Sequence, residues 1–277
     1  MEMIPNKQVI GITGASGFIG KHLSEYLLNQ GFIVLPLTRS FTSNDLKKCD
    51  IIINLAGASI NKRWSKSYKK EILNSRLDTT RKITSYIKEH KNISLLINAS
   101  AVGIYSSENK DPNDEYKYVY GNDFLANVCK EWESEALSIN EIISVTIIRL
   151  GLVLSDKGGA LPKMTLPAKF GVATVIGKGD QIISWIKLDD LLRAIKHIIE
   201  NNLTGVVNMC SPNPIKNKDL TKEIAKKYNS LITIRIPSFF IKSIMGEAAA
   251  VVVKGQYVIS KKLKDSGFTF NSPFYTK

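Results

Sequence analysis

The sequence contains no run of about 18 apolar residues, the length a helix needs to cross a bilayer, so no membrane span is expected. Its start, Met1-Glu2-Met3-Ile4-Pro5-Asn6-Lys7, lacks the apolar core of a secretion signal. Cysteine is scarce. Cys49, Cys129 and Cys210 are odd in number and far apart, which fits neither a disulfide framework nor a metal site. Buried, reduced thiols in a cytoplasmic protein are the expectation. His22, His90 and His197 have no acidic or cysteine partner at ligand spacing, so no metal is assigned. Arginine is also rare: of 38 basic residues seven are arginine, leaving 31 lysines spread along the whole chain. Lysine is a solvated point charge, poorly suited to bidentate base readout. The net charge of +13 therefore reads as a soluble surface, with no nucleic acid among the expected partners.

What is present is an alternation of short apolar runs with longer helical periods. Val9–Ile12, Ile33–Leu37, Ile51–Leu55, Leu95–Ile97, Val145–Ile148 and Val206–Met209 read as six strands. Between them, Ile19, Leu23, Tyr26 and Leu27 mark one face of a helix that Gly31 ends. Tyr68, Ile72, Thr79, Ile83 and Tyr86 mark a second helix, and Leu125, Val128, Trp132 and Ala136 a third over 123–138. Near-continuous apolar strands separated by helices indicate a parallel sheet covered on both faces. The expected fold is α/β, a Rossmann-type doubly wound parallel sheet with a smaller C-terminal substrate-side lobe. Residues 1–155 form the dinucleotide-binding part, completed by a strand within about 204–212. Residues 156–277, rich in glycine at first, form the lobe.

Thr13-Gly14-Ala15-Ser16-Gly17-Phe18-Ile19-Gly20 places three glycines directly between a strand and a helix. Gly14 permits the tight turn, Gly17 lets the backbone approach a pyrophosphate, and Gly20 lets the helix pack close to the sheet. The positive end of the helix then faces the phosphates. The second strand ends Leu37-Thr38-Arg39-Ser40, without the acid that would bind a ribose 2′-hydroxyl. A guanidinium at Arg39, beside Ser40, suits a 2′-phosphate instead, so the expected cofactor is NADP(H).

This turn, together with Asn54-Leu55-Ala56-Gly57 and Ser100-Ala101-Val102-Gly103-Ile104-Tyr105, resembles the extended short-chain dehydrogenase/reductase superfamily. Arg63-Trp64, Ser75–Thr80, Trp132-Glu133, Arg149–Leu154, Gly158–Leu161 and Ser184–Asp190 narrow the likeness to an atypical branch labelled nucleoside-diphosphate-sugar epimerase-like. The tail Pro237–Pro273 resembles that branch's C-terminal module of unknown function, placed at about 237–277. The resemblance implies nucleotide contacts at Leu55, Ala56 and Gly57. Superfamily chemistry rests on a Tyr-x-x-x-Lys pair one helical turn apart, in which lysine lowers the pKa of the acid–base tyrosine. Aligned through Glu133, that pair falls on Leu125 and Cys129, and neither can move the proton.

The remaining candidates for catalysis are Ser100, at the end of the fourth strand, and Tyr105. Arg149 ends the fifth strand and is expected to face the cofactor cleft and bind a phosphate or carboxylate. Arg63 and Trp64 are expected to overhang the cleft, with Trp185 as the opposite wall against a small-molecule substrate. Tyr116, Tyr118 and Tyr120 lie on a loop able to fold over the nicotinamide. The expected function is an NADP(H)-dependent oxidoreductase or epimerase-like protein acting on a small polar, sugar-like substrate, with a homodimer allowed. The alternative is a non-catalytic NADP(H) sensor or regulator.

Overall fold

The computed structural model describes residues 8–271. The start at Met1–Lys7 and the end of the C-terminal module, 272–277, lie outside the described residues. In chain order the first half runs β1 (Val9–Thr13), α1 (Phe18–Asn29), β2 (Ile33–Leu37), α2 (Ser43–Leu46), β3 (Ile51–Asn54), α3 (Lys66–Glu89), β4 (Leu95–Ala101), α4 (Phe124–Leu137) and β5 (Ser144–Leu150). These strands and β11 (Gly205–Met209) form one six-stranded sheet in the order β11-β5-β4-β3-β1-β2, parallel at every pairing. The chain leaves β1 toward β2 on one side and returns to β3 on the other. That reversal opens a crevice above the carboxyl ends of β1 and β3, where doubly wound sheets bind ligands.

Between β5 and β11 come β6 (Leu152–Ser155), β7 (Gly158–Gly159), α5 (Leu161–Lys169), β8 (Val172–Ile176), β9 (Ile182–Ile183), β10 (Trp185–Lys187) and α6 (Leu188–Glu200). After β11 follow β12 (Ile215–Lys216), α7 (Asn217–Lys227), β13 (Ile232–Ile236), α8 (Ser238–Met245), a 3-10 turn at Gly246–Ala249, α9 (Ala250–Val253) and α10 (Lys261–Asp265). Three small sheets, β10-β6-β7, β12-β9 and β13-β8, build the lobe.

The alternation along each strand decides which helix covers which face. Ile10, Ile12, Ile51, Ile53, Leu95 and Ile97 meet Leu23 and Leu27 of α1 and Leu191, Ile195 and Ile198 of α6. Ile52, Leu96, Val145 and Ile147 meet Ile83 and Ile87 of α3 and Ala136 of α4. A fully buried isoleucine or leucine contributes about 1.5–3 kcal/mol, so these two layers supply most of the drive to fold. Helix starts are fixed by side chains: Ser65 accepts from Tyr68 N and Asp123 from Ala126 N, at 3.1 and 3.0 Å.

Parts of residues 156–277 pack on the main sheet. α6 lies on the main sheet beside α1, and Leu263 of α10 and Phe268 join the same core, so much of 156–277 belongs to the sheet body. The separate lobe core consists of Leu154, Leu161, Ala168, Trp185, Leu220 and Ile224. Among the described residues no helix is long and apolar enough to cross a membrane, and the three cysteines are buried and unpaired.

In the glycine turn, Gly14 has φ of +67°, and a Cβ there would lie 2.8 Å from the Leu55 carbonyl oxygen. At Gly20 a Cβ would lie 2.2 Å from the Gly14 carbonyl oxygen. The tight neighbour of Gly20 is thus the turn itself, not the sheet. Gly20→Ala should therefore lower stability by about 1–3 kcal/mol, the cost of forcing atoms into a packed site, because the obstruction is backbone. Urea unfolding would measure this, and an unchanged midpoint would show that the turn yields freely.

Candidate functional site

Polar residues interrupt the apolar strands near their carboxyl ends, and the sheet register brings them together. Thr13 pairs with Asn54 and Asn54 with Asn98. The Thr13 hydroxyl donates to Asn54 Oδ1, and Asn54 Nδ2 donates to Asn98 Oδ1, both at 2.6 Å. Asn54 Nδ2 and Trp132 Nε1 both donate to the Thr80 hydroxyl, each at 2.9 Å, which ties α3 and α4 to the row. Buried amides and hydroxyls carry no desolvation penalty beyond the ordinary when every group is paired in this way.

Two residues further along, a second row starts. Ser100 is opposite Arg149, and Arg149 is opposite Asn208. Glu133 of α4 reaches into this row. Arg149 donates from Nε to Glu133 Oε1 at 2.8 Å and from Nη2 to Oε2 at 2.6 Å, a two-pronged ion pair in the interior. The Ser100 hydroxyl donates to Glu133 Oε1 at 2.6 Å. Arg149 Nη1 donates to the Tyr105 hydroxyl at 2.7 Å, and that hydroxyl donates onward to Asn208 Oδ1 at 2.7 Å. Tyr120, 42% exposed, accepts from Arg149 Nη2 at 3.3 Å and carries the network to the surface. Burial works against the Arg149 charge, but the Glu133 carboxylate and the Tyr105 hydroxyl hold its pKa above the ordinary arginine range. Burial pushes the Tyr105 phenol well above its usual range, even beside that cation.

Several expected positions need correcting on this geometry. Arg149 is turned to Glu133 rather than to the cleft, and its bonds to Glu133, Tyr105 and Tyr120 engage Nε and both terminal nitrogens. Ser100 and Tyr105, 2% and 1% exposed, lie beneath the surface rather than open to a substrate. Trp185 is 1% exposed in the lobe core and donates from Nε1 to Asn213 O at 2.9 Å, so its ring is not a cleft wall. Trp64 is buried, edge-on to Phe124 at 5.3 Å. Arg63 is exposed and lies against Gly246 of the 3-10 turn, close to the ion pair of Lys69 with Glu247.

The glycine turn stands where it was expected. Gly17 N donates to Gly14 O at 2.9 Å, and Gly17 caps α1 with no side-chain bond and no acid in the first turn. Ser16 and Gly17 are exposed, with Phe18 and Ile19 half-buried beside them. The Phe18 ring sits against Gly158 and Gly159 of β7, which brings the lobe over the turn. Leu55 N donates to Thr13 O at 3.3 Å, and Ala56 and Gly57 follow across the crevice. Arg39 is exposed and has no hydrogen bond or ion pair among the described residues; Ser40 Oγ lies 3.1 Å from Thr38 Oγ1. On α4, Leu125 and Cys129 occupy the positions aligned with the missing pair, and burial pushes the Cys129 thiol up to about 11.

Residues 10–210 match the model of the NAD dependent epimerase/dehydratase family, and 236–273 match a domain of unknown function. The chain belongs to that epimerase/dehydratase family. It is 35% identical to the epimerase family protein YfhF of Bacillus subtilis over 94% of this chain and 93% of that protein. The structure of human epimerase family protein SDR39U1 with NADPH superposes with a TM-score of 0.90, at 28% identity, covering 96% of each chain. A nucleoside-diphosphate sugar epimerase from Corynebacterium glutamicum gives 0.79 at 27% identity, over 96% of this chain and 56% of that one.

Sequence reasoning did not assign Glu133, Asn208 or Thr80 a place in the site. The available signal was polarity inside apolar strands, as in Val206-Val207-Asn208-Met209. Among the described residues no cluster able to hold a metal occurs. The buried ion pair gives a direct test. Arg149→Leu should destabilise the fold by about 3–5 kcal/mol, because it strands the Glu133 carboxylate without a counter-charge. The double variant Glu133→Leu, Arg149→Leu should recover much of that loss. Equal instability of single and double variants in chemical unfolding would mean that packing, not charge, sets the cost.

Proposed function

We propose that this chain binds NADP(H) and works as an oxidoreductase or epimerase-like protein on a small polar, sugar-like substrate. One observation carries the reading. At the point where the strand order reverses, an acid-free helix start with no side-chain cap lies near the end of β2, where Arg39 has no protein partner among the described residues. An anion is favoured at the first feature by the helix dipole and at the second by a charged fork. The human relative solved with NADPH shares the fold over 96% of the chain, and the Corynebacterium relative carries a sugar-nucleotide epimerase name. Both support the reading. Gly14, Ser16, Gly17, Phe18, Ile19 and Gly20 would hold the pyrophosphate, Arg39 and Ser40 the 2′-phosphate, and Leu55, Ala56 and Gly57 the middle of the dinucleotide. When bound, the nicotinamide supplies or accepts hydride. Ser100, Tyr105 and Arg149 then act from below, holding Tyr120 at the surface. A cytoplasmic location and a homodimeric assembly belong to the same reading.

A second reading, NADP(H) binding without turnover, draws support from Leu125 and Cys129. Without a tyrosine–lysine couple, acid–base help of about 10²–10⁴-fold is missing. Generic carbonyl substrates should therefore be reduced slowly or not at all. A screen of NADPH oxidation separates the readings: stoichiometric NADPH binding with no turnover on any sugar or carbonyl substrate would favour the binder.

Gly17→Val should abolish NADPH binding while the chain stays folded, since its side chain would occupy the pyrophosphate space. Arg39→Ala should weaken NADPH by about 1.5–3 kcal/mol, the worth of hydrogen bonds to a charged group, and leave NADH nearly unchanged. Calorimetry reads both. Equal losses for the two nucleotides would remove Arg39 from the 2′-phosphate.

A further inference from the structure

Three arginines are withdrawn from solvent, and two of them meet carboxylates: Arg149 meets Glu133, and Arg193 meets Asp190. Arg76, on α3, meets none among the described residues. Its guanidinium touches Gly57 and lies near Trp132. A Cβ on Gly57 would sit 2.9 Å from Cζ, and Cζ is 5.1 Å from the centroid of the Trp132 ring. Nη1 donates to Ala58 O at 3.2 Å and to Ile72 O at 2.8 Å. Nε and Nη2 have no acceptor among the described residues, yet neither is sealed from solvent, since Ser260 Oγ is the one fully buried side-chain polar atom left without a partner there. Burial lowers the pKa of this arginine, and no carboxylate is among the groups that act on its charge.

A half-buried cation with no counter-charge bears a desolvation cost that a carboxylate would offset. The edge left open is the Nε–Nη2 pair, two parallel donors in one plane that match the two oxygens of a carboxylate. The place is also informative. Arg76 lies beside Gly57, at the exit of β3, and acts on Cys129, which occupies the position aligned with the family's lysine. A positive charge missing from α4 is thus supplied from α3.

We propose that the Nε–Nη2 edge of Arg76 is a receptor for a planar oxyanion, the carboxylate of the substrate, bound beside Gly57 in the cleft. The proposal rests on the cleft described under Proposed function and names the class of substrate it takes: a polar molecule bearing a carboxylate. A phosphate ester shares the charge but not the planar two-oxygen match to the fork.

The test uses the full chain saturated with NADP⁺ and titrated with oxalate or with inorganic phosphate by calorimetry. Oxalate should bind saturably and more tightly than phosphate. Arg76→Gln should weaken oxalate at least tenfold, and Arg76→Lys, which keeps charge but loses the fork, about fivefold. NADP⁺ affinity and the thermal midpoint should stay close to wild type in both. Should Arg76→Gln fail to fold, Arg76→Lys carries the comparison. Unchanged oxalate affinity in the variants, or no saturable binding by the wild type, overturns the proposal. Tighter phosphate than oxalate, lost in the same variants, reassigns the edge to a phosphate ester. A tenfold loss of NADP⁺ affinity assigns it to the cofactor, and either result overturns the carboxylate. If NADP⁺ itself does not bind, the cofactor reading fails by itself, and the oxalate titration on the nucleotide-free protein still decides Arg76.

Discussion

The ion pair between Glu133 and Arg149 is the interaction on which the rest of the site depends. Two full charges are withdrawn from water, and their attraction offsets that cost only while both prongs of the pair and their further partners are in place. Ser100 from β4, Tyr105 after it, and Tyr120 from the following loop all complete that set. Asn208 of β11 continues it through Tyr105. One pair therefore fixes α4 against three neighbouring strands at the end of the sheet where the crevice opens.

The network also explains how the C-terminal segment is held. Asn208 Nδ2 donates to Ile259 O, and Asn208 N donates to Glu115. Glu115 in turn accepts from Lys261 N and Lys262 N. Burial raises the pKa of this carboxyl although the backbone donors oppose it. Ser184 of the lobe accepts from Val258 N and donates to Gln256 O. Residues 256–262 thus bind loop, lobe and sheet together, so this part of the C-terminal module belongs to the framework around the site.

A division of labour follows between charges below and charges above. Below the crevice, the buried Arg149 has its opposite in Glu133, and the Glu115 carboxyl is held by backbone N–H groups. Above it, Arg39 and Arg76 are cations without protein anions among the described residues, and the start of α1 adds backbone N–H groups.

The sequence by itself determined the sheet and its helices, because those follow from local periodicity. The six strand positions, the end of α1 before Gly31 and the start of α4 at Asp123 needed no distant contact to be legible. The glycine turn and the bare end of β2 were legible for the same reason, as neighbours in the chain. Only tertiary structure decided the rest. Arg149 looked like a cleft residue because its strand end points there, and Trp185 because it follows a glycine-rich loop; an acid sixteen residues away on α4 claimed the first, and the lobe core enclosed the second. Arg76 showed the converse, since an arginine on an amphipathic helix reads as surface until Gly57 and Trp132 pack near its guanidinium. Periodicity fixes which way a residue points, whereas its charge state and its use depend on what packs against it from elsewhere in the chain.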